Sequence, residues 1–221
     1  MKRTRQNILV CVALVGLLGL TTAAQGDIIV QYGFGSGVSP DAGSVAADVV
    51  AGDVTGDFEG SISGRGDTSG DPYSDGNTKS IFWQGTSDGS AAFTLDADDP
   101  LFINYSRIVF KIDHETEVVD DEWFVQSSAT SGDIATGGIT TNVDGNGTWT
   151  LADVDLSGIT ELQGQDQVTF TVGFRGVSTG PTTSTTRIDK IQVEGTVVPE
   201  PATMALLGLG GLGMLIRRKR A

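Results

Sequence analysis

The clearest pattern in the chain is a period-2 alternation of apolar and polar positions, which is typical of β-strands with one buried face. In the run 168–175, valine and phenylalanine occupy every second position, while threonine and arginine face the other way. The segment Ile108–Ile112 repeats this pattern, with Arg107 and Lys111 on the opposite face. Helical periodicity is nearly absent between the two ends of the chain, so the pattern indicates an all-β domain.

The alternation predicts eight or nine strands, separated by clusters of Gly, Asp, Ser and Thr. They are expected at Asp27–Phe34, near Val45–Val50, and at Lys79–Gln84, Ala91–Leu95, Ile108–Ile112, Trp123–Ser127, Thr148–Leu156, Val168–Arg175 and Arg187–Val197. Each strand has a polar face, which argues against a parallel sheet buried on both sides. We therefore predict an antiparallel two-sheet β-sandwich. Its first and last strands are expected to lie side by side, so that the C-terminal tail leaves from a sheet edge.

Residues 1–26 are predicted to be a signal peptide. Three basic residues lie among the first five. The 13-residue apolar stretch Ile8–Leu20, broken only by Gly16 and Gly19, is predicted to form a helix shorter than the ~20 residues that span a bilayer. Small residues follow at Thr21–Gly26, where cleavage after Ala24 and cleavage after Gly26 fit equally well. We therefore expect export through the Sec machinery.

The C-terminal region has three unlike features in a fixed order. The first is the motif Val198, Pro199, Glu200 and Pro201. Its two prolines favour an extended, exposed peptide. A short hydrophobic helix is predicted over the 15 residues Ala202–Ile216, which reach about 22 Å against a hydrocarbon core of roughly 30 Å. The last feature is a basic cluster, expected on the cytoplasmic side, of Arg217, Arg218, Lys219 and Arg220.

This order of features resembles the PEP-CTERM sorting signal, and the resemblance covers residues 198–221. It implies that an exosortase, a membrane-embedded cysteine peptidase, recognises the motif and cuts near it. It also implies that the C-terminal helix anchors the chain to the membrane transiently. The protein then reaches the cell surface or the extracellular space, where the resemblance implies an association with exopolysaccharide or biofilm.

The segment 27–197 is predicted to be a single domain with a strongly acidic surface. Of the 14 Lys and Arg residues, three lie before it and four after it, and of the 28 Asp and Glu residues only Glu200 lies outside it. Its net charge is therefore about −20, which disfavours anionic membrane surfaces and nucleic acid as partners. Divalent cations, or solubility outside the cell, account better for this charge.

Cysteine and histidine chemistry is scarce. Cys11 is the only cysteine and lies in the predicted signal peptide, so the mature domain has no disulfide and no thiol nucleophile. His114 is the only histidine, which excludes a multi-histidine zinc site. We expect His114 to be an ordinary surface residue, and we predict no catalytic residues.

Oxygen-bearing side chains recur at the spacing of a calcium-binding loop, which makes calcium the one candidate cofactor. The candidate ligands, at loop positions one, three, five and twelve, are Asn142, Asp144, Asn146 and Asp153. The first ligand is Asn rather than Asp, and the residues after the loop indicate a strand rather than a helix. Asn-Gly is also a hairpin-turn signal, so a plain turn is the alternative interpretation.

An enzyme alternative comes from the three acids Glu115, Glu117 and Asp120. Retaining glycoside hydrolysis needs two carboxylates about 5 Å apart, which acids on one strand can supply. The spacing resembles the Glu-x-Asp-x-x-Glu motif of lectin-fold glycosidases, but the second and third acids are exchanged here. A solvated acidic turn is the interpretation that we prefer.

The middle of the chain also resembles jelly-roll, lectin-like domains. The segments that carry this resemblance are Ile28–Phe34, Asp155–Ile159 and Arg187–Gly195. It implies a jelly-roll sandwich and, with the sorting signal, extracellular polysaccharide as a partner.

Carbohydrate binding needs exposed aromatic rings that stack on sugars. Trp83, Trp123 and Trp149 lie in predicted strands, where core packing is the commoner fate, which leaves Tyr73 as the candidate binding residue. The expected function is therefore a non-enzymatic, exported β-sandwich associated with exopolysaccharide. The alternatives are the lectin-fold hydrolase and a purely structural surface protein.

Overall fold

A computed structural model describes the chain over residues 26–34, 37–41, 43–59, 79–85, 88–114, 122–139, 149–176 and 185–199. These residues contain eleven β-strands and one short 3-10 helix, η1. The elements are β1 (Asp27–Tyr32), β2 (Val49–Ala51), β3 (Thr55–Gly56), β4 (Ile81–Gln84), β5 (Gly89–Ala97), β6 (Leu101–His114), β7 (Glu122–Ser127), β8 (Asp133–Gly138), β9 (Thr150–Asp155), η1 (Thr160–Leu162), β10 (Gln167–Arg175) and β11 (Thr185–Pro199).

The strands form two antiparallel sheets that pack as a jelly roll. One sheet has five strands in the order β1-β11-β6-β9, with β4 also beside β11. The other has six in the order β2-β5-β10-β7-β8, with β3 also beside β5. When the short strands β2, β3 and β4 are set aside, the remaining eight, numbered along the chain, have the orders 1-8-3-6 and 2-7-4-5. That order is a jelly roll of two Greek keys, so the predicted fold class is confirmed.

The core lies between the sheets and is built from alternating strand positions. On β10, valine and phenylalanine point inward from 168 to 174 and are fully buried. The Phe170 ring meets the Tyr105 ring of β6 edge-to-face, with centroids 5.0 Å apart. The Phe174 ring meets the Trp83 ring of β4 in the same way, at 5.2 Å. Because each of these pairs joins one sheet to the other, the rings fix how the two layers sit together.

Trp83 also links β4 to Asp57, the residue that follows β3 in the other sheet. Its indole N–H donates to a carboxylate oxygen of Asp57 at 2.8 Å, and the Ser90 amide donates to the same oxygen at 3.0 Å. Burial alone would raise the pKa of Asp57, but these hydrogen bonds outweigh it and leave the pKa below its usual value. A buried tryptophan thus has its polar group satisfied.

The first and last strands pair as predicted, and the last strand is an interior strand over most of its length. Asp27 lies opposite Gly195 and Tyr32 lies opposite Ile191, in antiparallel register. On its other side, β11 pairs with β6 over almost its whole length. Among the described residues, however, Thr196–Pro199 pair with β6 alone, so the expectation that the tail leaves from a sheet edge holds for the end of β11 and not for the strand as a whole.

Two strands were not predicted, β3 and β8. Neither alternates clearly, because β3 has two residues and β8 has the sequence DIATGG. The shape of its neighbour explains glycine in β8: a Cβ on Gly137 would come within 2.6 Å of the Trp123 ring. These glycines weaken the strand signal and at the same time make room for tryptophan.

The two ends of the sandwich differ. Strand β1 begins and β11 ends at one end, where Pro199 lies opposite Leu101. At the other end β4, β6, β8 and β10 finish, and β5, β7, β9 and β11 begin. Both termini of the domain therefore lie together, at the end opposite most of the long connections.

Candidate binding surface and sorting junction

The outer face of the six-stranded sheet, which we call the open face, is polar and accessible to solvent. Alternation along β5, β7, β8 and β10 turns polar side chains outward, opposite the core positions. They include Thr94, Gln126, Thr136, Gln167, Thr171 and Arg175, of which Thr136 and Gln167 are exposed and the rest partly exposed.

Arg175 organises one end of the open face. Its Nε donates to Glu122 at 3.0 Å and its Nη2 donates to Asp133 at 2.7 Å. The guanidinium also lies 5.3 Å from the centroid of the Phe124 ring, a cation–π distance. That ring rests on Gly173, where a Cβ would come within 2.7 Å of it. A glycine on β10 thus seats the phenylalanine, and the phenylalanine supports the arginine.

Both carboxylates of this cluster are held in the ionised form. The hydrogen bond from Thr136, followed by the one from Arg175, lowers the pKa of Glu122. Hydrogen bonds from Arg175 and then Gln126 lower the pKa of Asp133. Since an ionised carboxylate only accepts hydrogen bonds, these two groups suit ligand hydroxyls, which donate them.

Cross-strand hydrogen bonds order the middle of the open face. The Oγ1 atoms of Thr94 and Thr169 lie 2.8 Å apart, on directly opposed positions of β5 and β10. The Gln167 amide donates to Asp96 at 3.1 Å. Together with the Arg175 cluster, the face offers hydroxyl, amide, carboxylate and guanidinium groups in fixed rows. Such a surface can exchange hydrogen bonds with a hydroxyl-rich ligand.

The outer face of the five-stranded sheet is charged as well, but its centre is buried. We call this part the buried face; its residues are Lys111, Asp113, Arg187 and Asp189, each at most 4% exposed. Arg187 donates to Asp113 at 2.9 Å, and Lys111 lies opposite Asp189 in the β6–β11 register. Opposite charges therefore face one another across two strands, which stabilises their pairing.

His114 lies at the end of β6 and corrects the expectation of a surface residue. It is 1% exposed, and its Nδ1 lies 2.7 Å from the hydroxyl oxygen of Thr186 on β11. Burial, with a smaller contribution from the Arg187 charge, lowers the pKa of His114 below its usual value. A neutral, hydrogen-bonded histidine here completes the pairing of two strand ends.

Of the four candidate calcium ligands, Asp153 is described, on β9. Both of its carboxylate oxygens accept hydrogen bonds from Arg107, each at 2.6 Å, which lowers the pKa of Asp153. A calcium ion at this carboxylate would have to displace the arginine. Asn142, Asp144 and Asn146 lie outside the described residues. Within the described ranges, no group of three or more His, Cys, Asp or Glu side chains is placed to hold a metal ion.

Some of the other candidate residues from the sequence lie within the described ranges and some lie outside them. Tyr73 and the three acids Glu115, Glu117 and Asp120 lie outside the described residues. Trp83 is buried, whereas Trp123 and Trp149 are partly exposed, and the Trp123 ring meets the Phe110 ring edge-to-face at 5.7 Å. In the part of the chain that the structure describes, no aromatic side chain is fully exposed.

The sorting motif is joined to the domain without a linker. Val198 and Pro199, its first two residues, are the last residues of β11 and lie opposite Phe102 and Leu101 of β6. The remaining residues of the tail, from Glu200 through the basic cluster at 217–220, lie outside the described residues. In the described ranges, no helix has the length and apolar character needed to cross a bilayer.

The sequence analysis missed the open face, although part of its signal was visible. The alternation in β10 already turned Arg175 away from the core. Its partner Asp133 lies in the unpredicted strand β8, so nothing in the sequence pointed to their contact. An arginine at the end of an alternating strand, among short polar residues, was the signal that could have found it.

Comparison with known proteins identifies the tail. Residues 197–220 match the family model of the PEP-CTERM protein-sorting motif, which confirms the resemblance drawn from the three tail features. The chain therefore carries the sorting motif of an exported protein. No curated protein matches the chain.

Several solved structures are similar to the domain at low identity. The K1 cleaved adhesin domain of Lys-gingipain from Porphyromonas gingivalis is 12% identical, with a TM-score of 0.43, over 77% of this chain and 99% of that one. A family 35 carbohydrate binding module from an environmental isolate is 14% identical, with a TM-score of 0.41, over 70% and 93%. The module TmCBM61, in complex with β-1,4-galactotriose, is 11% identical, with a TM-score of 0.37, over 70% and 90%. Because these TM-scores lie below 0.5, the jelly-roll assignment rests on the strand order.

Proposed function

We propose that this chain is a non-enzymatic protein of the cell surface or extracellular matrix, which an exosortase processes at the sorting motif and which associates with exopolysaccharide through the open face. The observation that carries this proposal is the sorting motif at 197–220, joined directly to the last strand of a complete jelly roll. A motif of this kind accounts for export. It leaves the domain itself as the part that acts outside the cell.

The chemistry of the open face supports a glycan as the ligand. Sugar hydroxyls both donate and accept hydrogen bonds, and the face presents acceptors at Glu122 and Asp133 beside donors at Gln126 and Gln167. Most of these side chains already form hydrogen bonds with neighbouring side chains. Little side-chain conformational entropy is therefore lost when a ligand binds. The buried face does not compete for this role, because its charged groups are not accessible.

Charge narrows the class of polysaccharide. A domain with a net charge of about −20 repels polyanions at moderate salt. We therefore propose a neutral polysaccharide as the direct ligand. An acidic polysaccharide would need divalent cations to bridge it to the protein, and calcium at the 142–153 segment belongs to that case.

The test is binding of the exported protein, purified from the producing organism, to that organism's own exopolysaccharide, with added calcium and then with chelator. Saturable binding in both conditions is the expected result. Binding that disappears with chelator would replace direct recognition by a calcium bridge. Absence of binding in both would overturn the glycan role and favour a purely structural protein.

Two matched variants locate the surface. Thr171→Glu adds a charge at the centre of the open face, and Leu151→Glu adds the same charge on β9, where Leu151 is 40% exposed. We expect Thr171→Glu to weaken binding at least about tenfold, because covering an unpaired carboxylate with a neutral ligand costs more than about 1.4 kcal/mol of desolvation. Leu151→Glu should bind as the natural protein does. Equal weakening in both variants would mean that binding depends on overall charge and not on the open face.

The same incubation tests the proposed absence of catalysis. Release of reducing sugar from the polysaccharide, lost in Glu115→Gln, would replace the binding role by glycoside hydrolysis with Glu115, Glu117 and Asp120. Unchanged polysaccharide over the period in which binding saturates is the result expected of a binding protein.

A further inference from the structure

The end of β11 is held differently from the rest of the strand. A bulge between Glu194 and Gly195 interrupts its pairing with β6. Before the bulge, β11 has β6 on one side and β4 or β1 on the other. The pairing with β1 stops at Gly195, opposite Asp27. Among the described residues, the four positions Thr196–Pro199 therefore pair with β6 alone. We call them the terminal ladder.

Packing of the terminal ladder is correspondingly thin. Thr196, Val197 and Val198 are only partly buried and Pro199 is exposed. Val197 contacts the core, on the face that it shares with Ile103 of β6. The last position donates no backbone hydrogen bond, because proline has no N–H. Strand ends with few buried contacts open at much lower free energy than the body of a sheet.

The terminal ladder also contains the start of the sorting motif. Val198 and Pro199 are in register with Phe102 and Leu101. An enzyme that binds an extended peptide takes up the peptide's main-chain hydrogen-bonding groups, as in the addition of a strand to a sheet. Groups that are already bonded to β6 cannot serve the enzyme at the same time.

We propose that the terminal ladder controls processing of the tag: Thr196–Pro199 must separate from β6 before the processing peptidase can bind the motif. This inference rests on the proposed processing by an exosortase and adds a regulatory step to it. Opening just beyond the bulge, after Gly195, frees four residues while β1 and β4 still hold the rest of β11. The domain therefore stays folded while its C-terminal end binds the enzyme. The rate of processing is then proportional to the fraction of molecules in which the terminal ladder is open.

A disulfide across the terminal ladder tests this inference. Val198→Cys with Phe102→Cys places two cysteines at directly opposed positions of neighbouring strands, the arrangement that a disulfide can bridge. The chain has no other cysteine outside the predicted signal peptide, and an exported protein meets oxidising conditions. The full chain is expressed in the producing organism, and loss of the tag is followed by pulse–chase and intact mass.

The matched control is Thr94→Cys with Thr169→Cys, which bridges two opposed positions whose hydroxyl oxygens are 2.8 Å apart in the other sheet. We expect the disulfide at the terminal ladder to slow processing at least about tenfold, since it removes the competent state. Reduction of the disulfide should restore the rate of processing. This distinguishes the effect of the disulfide from the effect of substituting the motif residue Val198. The control disulfide should leave processing unchanged.

A second variant keeps the motif intact. Phe102→Gly removes the side chain opposite Val198 and should speed processing, because the ladder opens more often. Processing of the locked variant at the control rate, or unchanged processing in Phe102→Gly, would overturn the role of the ladder and leave the proposed function standing. If the natural chain keeps its tag in the same cells, exosortase processing itself is wrong and this inference with it.

Discussion

Arg175 and Arg187 make the same kind of contact on opposite sides of the sandwich, each donating to an aspartate of its own sheet. The Arg175–Asp133 pair has an N–O distance of 2.7 Å, and its side chains are 39% and 25% exposed. The Arg187–Asp113 pair has a distance of 2.9 Å, and its side chains are 5% and 2% exposed. Burial, and not the chemistry of the pair, therefore separates an accessible polar surface from a structural one. Charges that water reaches remain available to a ligand, whereas buried charges are committed to each other.

The largest effect is expected from breaking the buried pair. Arg187→Ala leaves the Asp113 carboxylate buried without its guanidinium, which should lower the free energy of unfolding by about 3–5 kcal/mol. Urea unfolding of the natural chain and the variant measures this loss. Arg175→Ala is the matched control on the open face and should lose far less. Equal losses in the two variants would contradict the distinction between the faces.

A smaller loss of stability is expected from a substitution of Gly173, against which the Phe124 ring packs. Gly173→Ala puts a methyl group against the Phe124 ring and the carbonyl of Gly89, which should cost about 1–3 kcal/mol of stability. Gly138→Ala, on β8 of the same sheet with nothing within 4 Å of the new Cβ, is its control. Urea unfolding reports the stability, and polysaccharide binding should weaken in Gly173→Ala as Arg175 loses its support. A Gly173→Ala variant as stable as the control would show that the ring is not seated there.

Acid should lower the stability of the domain through the buried side chain of His114. Its pKa in the folded protein lies below the ordinary value of about 6.5 that it has when unfolded. Between these two values the unfolded chain binds more protons, so the contribution of His114 to stability is fully present above about pH 6.5 and is lost as the pH is lowered toward the folded pKa. Urea midpoints at pH 7.5 and pH 5.5 should therefore differ more in the natural chain than in His114→Gln. Equal pH dependence in both would exclude His114 as the cause.

The smallest effect is expected from an exposed charge. Asp133→Asn removes one acceptor of Arg175 but leaves Glu122 in place, so stability should change far less than in Arg187→Ala. The small difference should shrink further when salt is added, because exposed pairs are screened. A thermal unfolding series at low and high salt measures both. A loss that persists in high salt would mean that Asp133 is not the solvent-screened group described here.

The sequence predicted the sheets better than the surfaces. Each of the nine expected strands has a counterpart, because alternation records which side of a strand is buried, as Val168 and Phe170 illustrate. The missed strand β8 shows no such alternation. Its Gly137 leaves room for the Trp123 ring, and these two residues are 14 positions apart in the sequence. His114 was misjudged for a related reason, since its burial depends on Thr186, which lies 72 residues away.

The sequence by itself determined the fold class and the sorting tail, since both are written in local patterns: alternation for the strands, and three features in order for the tail. Only the tertiary structure decided which polar residues are accessible. Alternation distinguishes core from outside on each strand, but it cannot tell that Arg187 is enclosed while Arg175 is open. It also could not tell that β11 lies between β1 and β6 in its sheet. Those outcomes depend on which strands pair with each other, and the strands that pair lie far apart in the sequence.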